Sequence, residues 1–158
     1  MNTYSSFTLA EAIQKVEKYC IYQDRCHQEV KNKLYSMHML PENIDVIMVH
    51  LIDNDFLNET RFAASFARGK HRIKDWGINR IVRELKLREI SEYNIKNAIK
   101  EIDIEEYICN FNSISEKHWD QIKETNKWIK RKKFCDFFLR KGYESDLIYQ
   151  KVKELENL

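Results

Sequence analysis

Five histidines, His27, His38, His50, His71 and His118, are the first candidates for a metal site, yet only Cys26 and His27 bring two soft ligands together. A zinc site needs four converging ligands, usually supplied as close pairs such as C-x-x-C or H-x-x-x-H. That spacing is missing, so no structural metal is expected. Asp53, Asp55 and Glu59 resemble the carboxylates that hold two metal ions in a nuclease. They also stand where a helix should begin, and acidic side chains gather there because the helix dipole favours them. The capping role is the simpler reading and is preferred. No Ser/His/Asp arrangement can be inferred, and no G-x-x-x-x-G-K-[ST] loop is present among only three glycines. The expectation is a chain with no enzyme activity and no cofactor.

Two basic clusters are the features that suggest a ligand. Arg68, Lys70, Arg72 and Lys74 should bracket the turn between a fourth and a fifth helix, followed by Arg80 and Arg83 on the solvent side of the fifth. Lys127, Lys130, Arg131, Lys132 and Lys133 crowd the start of an eighth helix, where lysine opposes the dipole and needs another reason to be present. A polyanion would supply one. The bland alternative is that both runs are solvated helix faces. Helices five and eight occupy equivalent places in the repeat described below, so a regular array should bring their cations to related faces.

The elements that must carry these residues are helical. Three glycines and one proline among 158 residues are too few for the turns of a sandwich or barrel, whereas Lys, Glu, Ile, Leu and Asn fill amphipathic helices. Apolar content of 43% can form a core, while 33% charged residues and a mean hydropathy of −0.63 imply much exposed helix surface and favour an elongated array. Net charge is only +2, so attraction to nucleic acid would have to come from clustering. Cys20, Cys26, Cys109 and Cys135 form no C-x-x-C pair and read as reduced, structural residues. With no apolar run suited to a signal peptide or a membrane span, the expectation is a soluble, cytoplasmic protein.

Residues 1–7 read as a short mobile arm. Thr8 and Glu11 form a T-x-x-E capping box for a first helix over about 9–21. Asp24 is the expected cap of a second (25–38), and Pro41 suits the first turn of a third (41–53). Asn58 should cap the fourth helix and Gly69 loosen its end. Asp75 should cap the fifth (76–88) and Ser91 the sixth (92–102). The stretch from Ile104 onward reads as one long helix, with Asn112 to Ser115 its least helical part. Thr125 or Asn126 opens the eighth (126–141), Gly142 ends it in a left-handed conformation, and a last helix covers 144–156.

These nine helices fall into three copies. Ile44, Ile95 and Ile148 each open an apolar stripe that continues at steps of four and three, through Met48 and Leu51, Ile99 and Ile102, and Val152 and Leu155. Leu34, Leu85 and Leu139 close the preceding stripes, one turn after Val30, Ile81 and Cys135. The isoleucines lie 51 and 53 residues apart (95 − 44 and 148 − 95), a near-constant period that marks an array. The expected organisation is all-α, three tandem three-helix repeats over 1–54, 55–103 and 104–158 in an elongated, curved array. Phe62, Trp119, Leu34, Leu85 and Leu139 should be buried.

The same residues resemble a known family. Asp55-Phe56-Leu57-Asn58-Glu59-Thr60-Arg61-Phe62-Ala63 is similar to the FL-[DN]-[DE]-x-R-[FY]-A motif of RecX-type regulatory proteins, the modulators of RecA-type recombinases. Gly77-Ile78, Ile81 and Glu84-Leu85 resemble that family's G-x-x-x-I-x-x-EL helix, and Phe138-Leu139-Arg140-Lys141-Gly142-Tyr143 its FL-x-[RK]-G-[FY] segment. Asp24-Arg25, Glu29-Val30 and Lys33-Leu34 are similar to R-S-x-x-E-[LV]-x-x-KL, with Cys26 in place of serine. One departure is Arg88-Glu89-Ile90, where the family commonly has glycine in the turn.

The resemblance runs from about Leu9 to Leu155. It implies a curved monomer that binds along a RecA-type recombinase filament and inhibits or tunes it, with single- or double-stranded DNA contact implied more weakly. An extended concave surface suits a partner that is itself a filament. The alternative is a DNA-binding protein that uses its units as helix-turn-helix-like modules, with helix five or eight entering a groove. Arg61 is expected to fix a helix start through Asp53, Asp55 or Glu59, in preference to touching a partner.

Overall fold

The computed structural model describes residues 6–158. Among them are nine helices and no strand: α1 (Leu9–Tyr22), α2 (His27–Ser36), α3 (Pro41–Asp53), α4 (Glu59–Lys74), α5 (Ile78–Leu87), α6 (Glu92–Lys100), α7 (Ile104–Gln121), α8 (Lys127–Lys141) and α9 (Ser145–Glu156). Each successive trio encloses its own core. The first is built on Val16, Val30, Leu34, Ile47 and Leu51, the second on Phe62, Ala63, Ile81, Leu85 and Ile95, and the third on Phe111, Phe134, Phe138, Tyr143 and Ile148. The exposed surface is 10411 Å². A compact monomer of this 19.2 kDa mass would expose about 8,400 Å², and the excess is what a row of small cores produces.

Local chemistry sets most helix ends. The Thr8 hydroxyl accepts from the Glu11 amide at 3.2 Å and the Glu11 carboxylate from the Thr8 amide at 3.0 Å, closing the capping box. Asn58, Ser91, Asp103 and Asn126 each cap through a side-chain oxygen. Helix α7 runs unbroken through Asn112 to Ser115, because the buried Ser115 hydroxyl donates back to the Asn112 carbonyl at 2.9 Å.

Several expectations are corrected. Of the expected N-terminal arm, residues 1–5 lie outside the described residues, while Phe7 packs on the first core beneath Lys15. Asp24 does not cap α2; Cys26 precedes it, its amide held by the Glu29 carboxylate at 3.0 Å. Gly69 does not loosen α4, which continues five residues further, and Asp75 ends that helix at φ 57 instead of opening the next. Gly77 precedes α5.

The repeat is legible in its turns. The residue between the second and third helices of each unit has positive φ: His38 (59), Glu89 (59) and Gly142 (94), spaced by the same 51 and 53 residues as the isoleucines. The next residue, Met39, Ile90 or Tyr143, is buried and donates its amide to Leu34, Leu85 or Phe138 at 3.1–3.2 Å. This register shows that Phe138, fully buried, is the third counterpart of Leu34 and Leu85. The expected residue, Leu139, is 41% exposed, and Phe134 takes the place assigned to Cys135 one turn earlier. Trp119 is half-buried against Phe134, and Ile104 is exposed while Tyr107 fills the core in its stead.

Adjacent units join end to end. At the second junction the α5 start abuts the α8 end: the Gly77 amide donates to the Lys141 carbonyl at 2.7 Å and the Asn79 amide to the Gly142 carbonyl at 2.9 Å. A Cβ on Gly77 would collide with the Gly142 and Tyr143 backbone, so the approach requires glycine. The Tyr107 hydroxyl, from α7, accepts the Ile78 amide at 3.1 Å and donates to the Glu144 carboxylate at 2.7 Å. At the first junction Cys26 is buried in the second unit's core and the Gln28 amide group reaches the Leu87 carbonyl at 3.5 Å.

Two measurements probe these features. Phe62→Ala, which empties a position 4% exposed in the second core, should destabilise by about 3–5 kcal/mol in denaturant unfolding. Glu89→Gly should raise stability by up to about 1 kcal/mol, because Glu89 holds a left-handed conformation that a side chain disfavours. A lower melting temperature for Glu89→Gly would show that its side chain does more than occupy the turn.

Candidate functional site

Arg68, Lys70, Arg72 and Lys74 do not bracket a turn; all four lie on the last two turns of α4. Arg68 pairs with Glu101 at 2.5 Å and Arg72 with Glu106 at 3.3 Å, both across to elements that follow in the chain. The Lys70 ammonium sits 5.4 Å from the Phe66 ring centre and 5.1 Å from that of Trp76, a cation–π seat. Lys74 is exposed, and its carbonyl accepts from the Lys141 ammonium at 3.0 Å. On α5, the Arg80 guanidinium lies 4.1 Å over Trp76 and donates to the Arg140 carbonyl at 3.3 Å, while Arg83 is exposed.

The α8 cluster is more neutralised than its sequence suggests. Arg131 holds the Glu156 carboxylate with two bonds, at 3.0 and 2.5 Å; Lys132 pairs with Asp136 at 2.7 Å and Lys133 with Glu124 at 3.4 Å. The Arg131 fork holds the Glu156 carboxyl below its ordinary range. Glu124 is held down first by the Asn126 amide and then by Lys133. Lys130 covers Trp119 at 4.4 Å, and Lys127 is exposed beside Trp128, whose indole is 75% exposed. Carboxylates of the same chain therefore account for three of the five cations.

The expected common face is only half formed. Arg80, Arg83 and Arg140 line one groove with Glu84, Asp136 and Leu139, where α5 meets the C-terminal end of α8. The Lys127–Lys133 run is at the opposite end of α8, about 15 Å away along the axis at 1.5 Å per residue. Among the described residues no group of three or more His, Cys, Asp or Glu could hold a metal. Asp55 and Glu59 are turned to Arg61 and Asn94 respectively.

Arg61 ties two units together. Its Nε donates to Asp24 at 2.9 Å and its Nη1 to Asp55 at 3.0 Å, with the Asp55 carbonyl accepting at 2.9 Å. Of the expected partners, Asp55 is present and Asp53 and Glu59 are not. Asp24, 37 residues away, has no sequence signal beyond being an acid before a helix. Its other oxygen accepts from the Ser65 hydroxyl at 2.8 Å. Burial pushes the Asp24 carboxyl up, but Ser65 and Arg61 outweigh it and hold it below its ordinary value.

The chain is similar in sequence and fold to known proteins. The family model for the second three-helix domain of RecX matches residues 58–99, the span that contains Arg61 and both walls of the second core. A curated regulatory protein RecX from Bacillus cytotoxicus is 24% identical over 138 residues, covering 87% of this chain and 51% of that protein. Another from Prosthecochloris aestuarii is 23% identical over 145 residues, covering 92% and 93%. A crystal structure of regulatory protein RecX superposes with a TM-score of 0.80 at 20% identity, over 92% of this chain and 71% of that one. RecX from Lactobacillus salivarius gives 0.78 at 24% identity, over 95% and 97%.

The chain is similar to RecX proteins over most of its length, and residues 58–99 match their second three-helix domain. It spans about half the length of the Bacillus cytotoxicus and Listeria welshimeri relatives. No described helix of the chain is long and apolar enough to cross a membrane. Sequence reasoning missed its Tyr107–Glu144 bond and the buried Lys151, whose ammonium meets Glu116 at 3.0 Å and Glu154 at 3.6 Å. Tyr107 had a usable signal, since it lies one turn before Phe111.

The Asp24 contacts give a pH-dependent test. Asp24→Asn should lower stability by about 1–2 kcal/mol at neutral pH, a range reduced for partial exposure. Because the folded-state value is depressed, this contribution is present above the ordinary 3.8 and disappears as pH falls through the folded value. Urea unfolding of parent and variant should therefore converge in acid; an equal gap in neutral and strongly acidic solution would remove the carboxylate from the account.

Proposed function

We propose that this chain is a non-enzymatic regulator that binds RecA-type recombinase filaments on DNA and inhibits or modulates their ATPase and strand-exchange activity in DNA repair. The observation that carries the reading is the RecX-like row of three units whose junctions are closed by backbone bonds and by the Arg61–Asp24 pair. A row of three units can contact neighbouring subunits of a filament at once. It would resist their rearrangement during ATP turnover if its spacing fits one filament state better than another. The chain acts in the cytoplasm, as a monomer with units taken as 1–54, 55–103 and 104–158.

The surface assigned to the polyanion uses first the cations without carboxylate partners among the described residues: Lys74, Arg80, Arg83, Lys127 and Lys130, with Lys70 over its aromatic seat. Arg68, Arg72 and Lys133 can exchange their partners for phosphates, because surface ion pairs are held weakly against water; Arg131, held by two bonds to Glu156, gives up more in doing so. Single- or double-stranded DNA within the filament is the polyanion.

The test is affinity for a recombinase filament against affinity for the same DNA bare, at two salt concentrations, with ATPase and strand exchange measured in parallel. The filament should bind more tightly, and recombinase turnover should fall. A protein acting as a helix-turn-helix-like DNA binder would instead show a steep salt slope and gain nothing from the recombinase. Arg83→Gln with Lys127→Gln and Lys130→Gln should flatten the log–log salt slope by about 0.7–0.9 for each phosphate left without its cation. An unchanged slope would place the phosphate-binding surface elsewhere.

A further inference from the structure

The solvent side of α3 carries a run of apolar side chains flanked by acids. Ile44, Ile47, Met48 and Leu51 face the first core, and the opposite arc of about 120° carries Val46, Val49 and Ile52 together with Glu42, Asp45 and Asp53. The three apolar residues are 53%, 57% and 45% exposed. Leu40, just before the helix, is also exposed. Valine and isoleucine are mediocre helix formers, so on a solvated face they bring neither propensity nor solubility.

The repeat supplies an internal control. By the 51- and 53-residue spacing, the positions of Val46, Val49 and Ile52 correspond to Asn97, Lys100 and Asp103 in the second unit and to Gln150, Lys153 and Glu156 in the third. All six are polar. The fold therefore has no need of apolar side chains there. The acids beside them are free of cations: Glu42, Asp45 and Asp53 take part in no ion pair among the described residues. Asp53 also lies in the last turn of α3, where the dipole disfavours a negative charge.

We propose that this face of α3 docks a protein surface that presents apolar side chains ringed by lysine or arginine. On the reading above, which this inference rests on, that surface belongs to a recombinase subunit. The array then has two ends of opposite character: an apolar, acidic first unit that takes protein, and cationic second and third units that take the polyanion. Charge complementarity excludes DNA from the α3 face, because three unneutralised carboxylates repel phosphate. The apolar stripe supplies affinity, and the acids set orientation and rate of encounter.

The experiment uses the whole chain with Val46→Gln, Val49→Gln and Ile52→Gln combined, and separately Asp45→Asn with Asp53→Asn. Binding is measured to a recombinase filament and to the same DNA bare, beside circular dichroism and sedimentation. The glutamine variant should bind the filament about tenfold or more weakly, with bare-DNA affinity within about twofold of the parent and unchanged helicity. The asparagine pair should weaken filament binding mainly at low salt. If the glutamine variant misfolds, Val49→Gln alone and the asparagine pair carry the same comparison. Filament binding equal to the parent's would overturn the assignment. So would concentration-dependent association of the parent that is abolished in the variant, which would make the occupant a second copy. A parent that does not bind the filament would sink the recombinase reading itself, an outcome distinct from a parent that binds and a variant that matches it.

Discussion

The meeting of the α5 start with the α8 end is the constraint that fixes how the later units sit. A helix N-terminus leaves amides without partners and a C-terminus leaves carbonyls without partners, and here one set answers the other across two units. Gly77 and Asn79 donate to Lys141 and Gly142, and the two helix dipoles follow each other through the junction. The approach is too close for a Cβ on either side, which makes Gly77 and Gly142 a matched pair although 65 residues separate them in the chain. Tyr107 then seals the joint: its ring packs on Tyr143 and His71, and its hydroxyl bridges the Ile78 amide to the Glu144 carboxylate. Burial pushes that hydroxyl far above its ordinary range, so it remains a donor at any working pH.

The first junction uses different chemistry for the same purpose. Cys26 stands where Gly77 stands in the next unit, and its side chain fills part of the second core instead of yielding to a backbone. Arg61 and Ser65 then reach from α4 to Asp24. One joint is backbone to backbone and the other is an ion pair with a packed thiol.

Charge is distributed by pairing as much as by sequence. The α8 run looks like five free cations, yet Glu124, Asp136 and Glu156 take three of them. Trp76 and Trp119 seat Arg80 and Lys130 on their ring faces, which keeps guanidinium and ammonium groups at the surface in defined places. Cations held this way surrender less freedom on meeting an anion than freely moving lysines do.

The all-helical class, the three copies and most of the helix starts could be read from the chain alone, because periodicity and capping are local: Thr8, Asn58, Ser91, Asn126 and Gly142 act through neighbours two to four residues away. Arg61 and the cationic runs are visible in the sequence as well. Where the sequence misled, the deciding force was not local. Asp24 and Asp75 read as caps, but one answers an arginine from the next unit and the other ends a helix that Gly69 did not interrupt. Leu139 and Phe138 both fit a helical stripe, and only packing against Phe111 and Tyr143 shows which faces the core. Partners for Arg131 of α8, the two-glycine joint and the uncovered face of α3 belong to tertiary structure, since each depends on which surfaces meet between segments far apart in the chain.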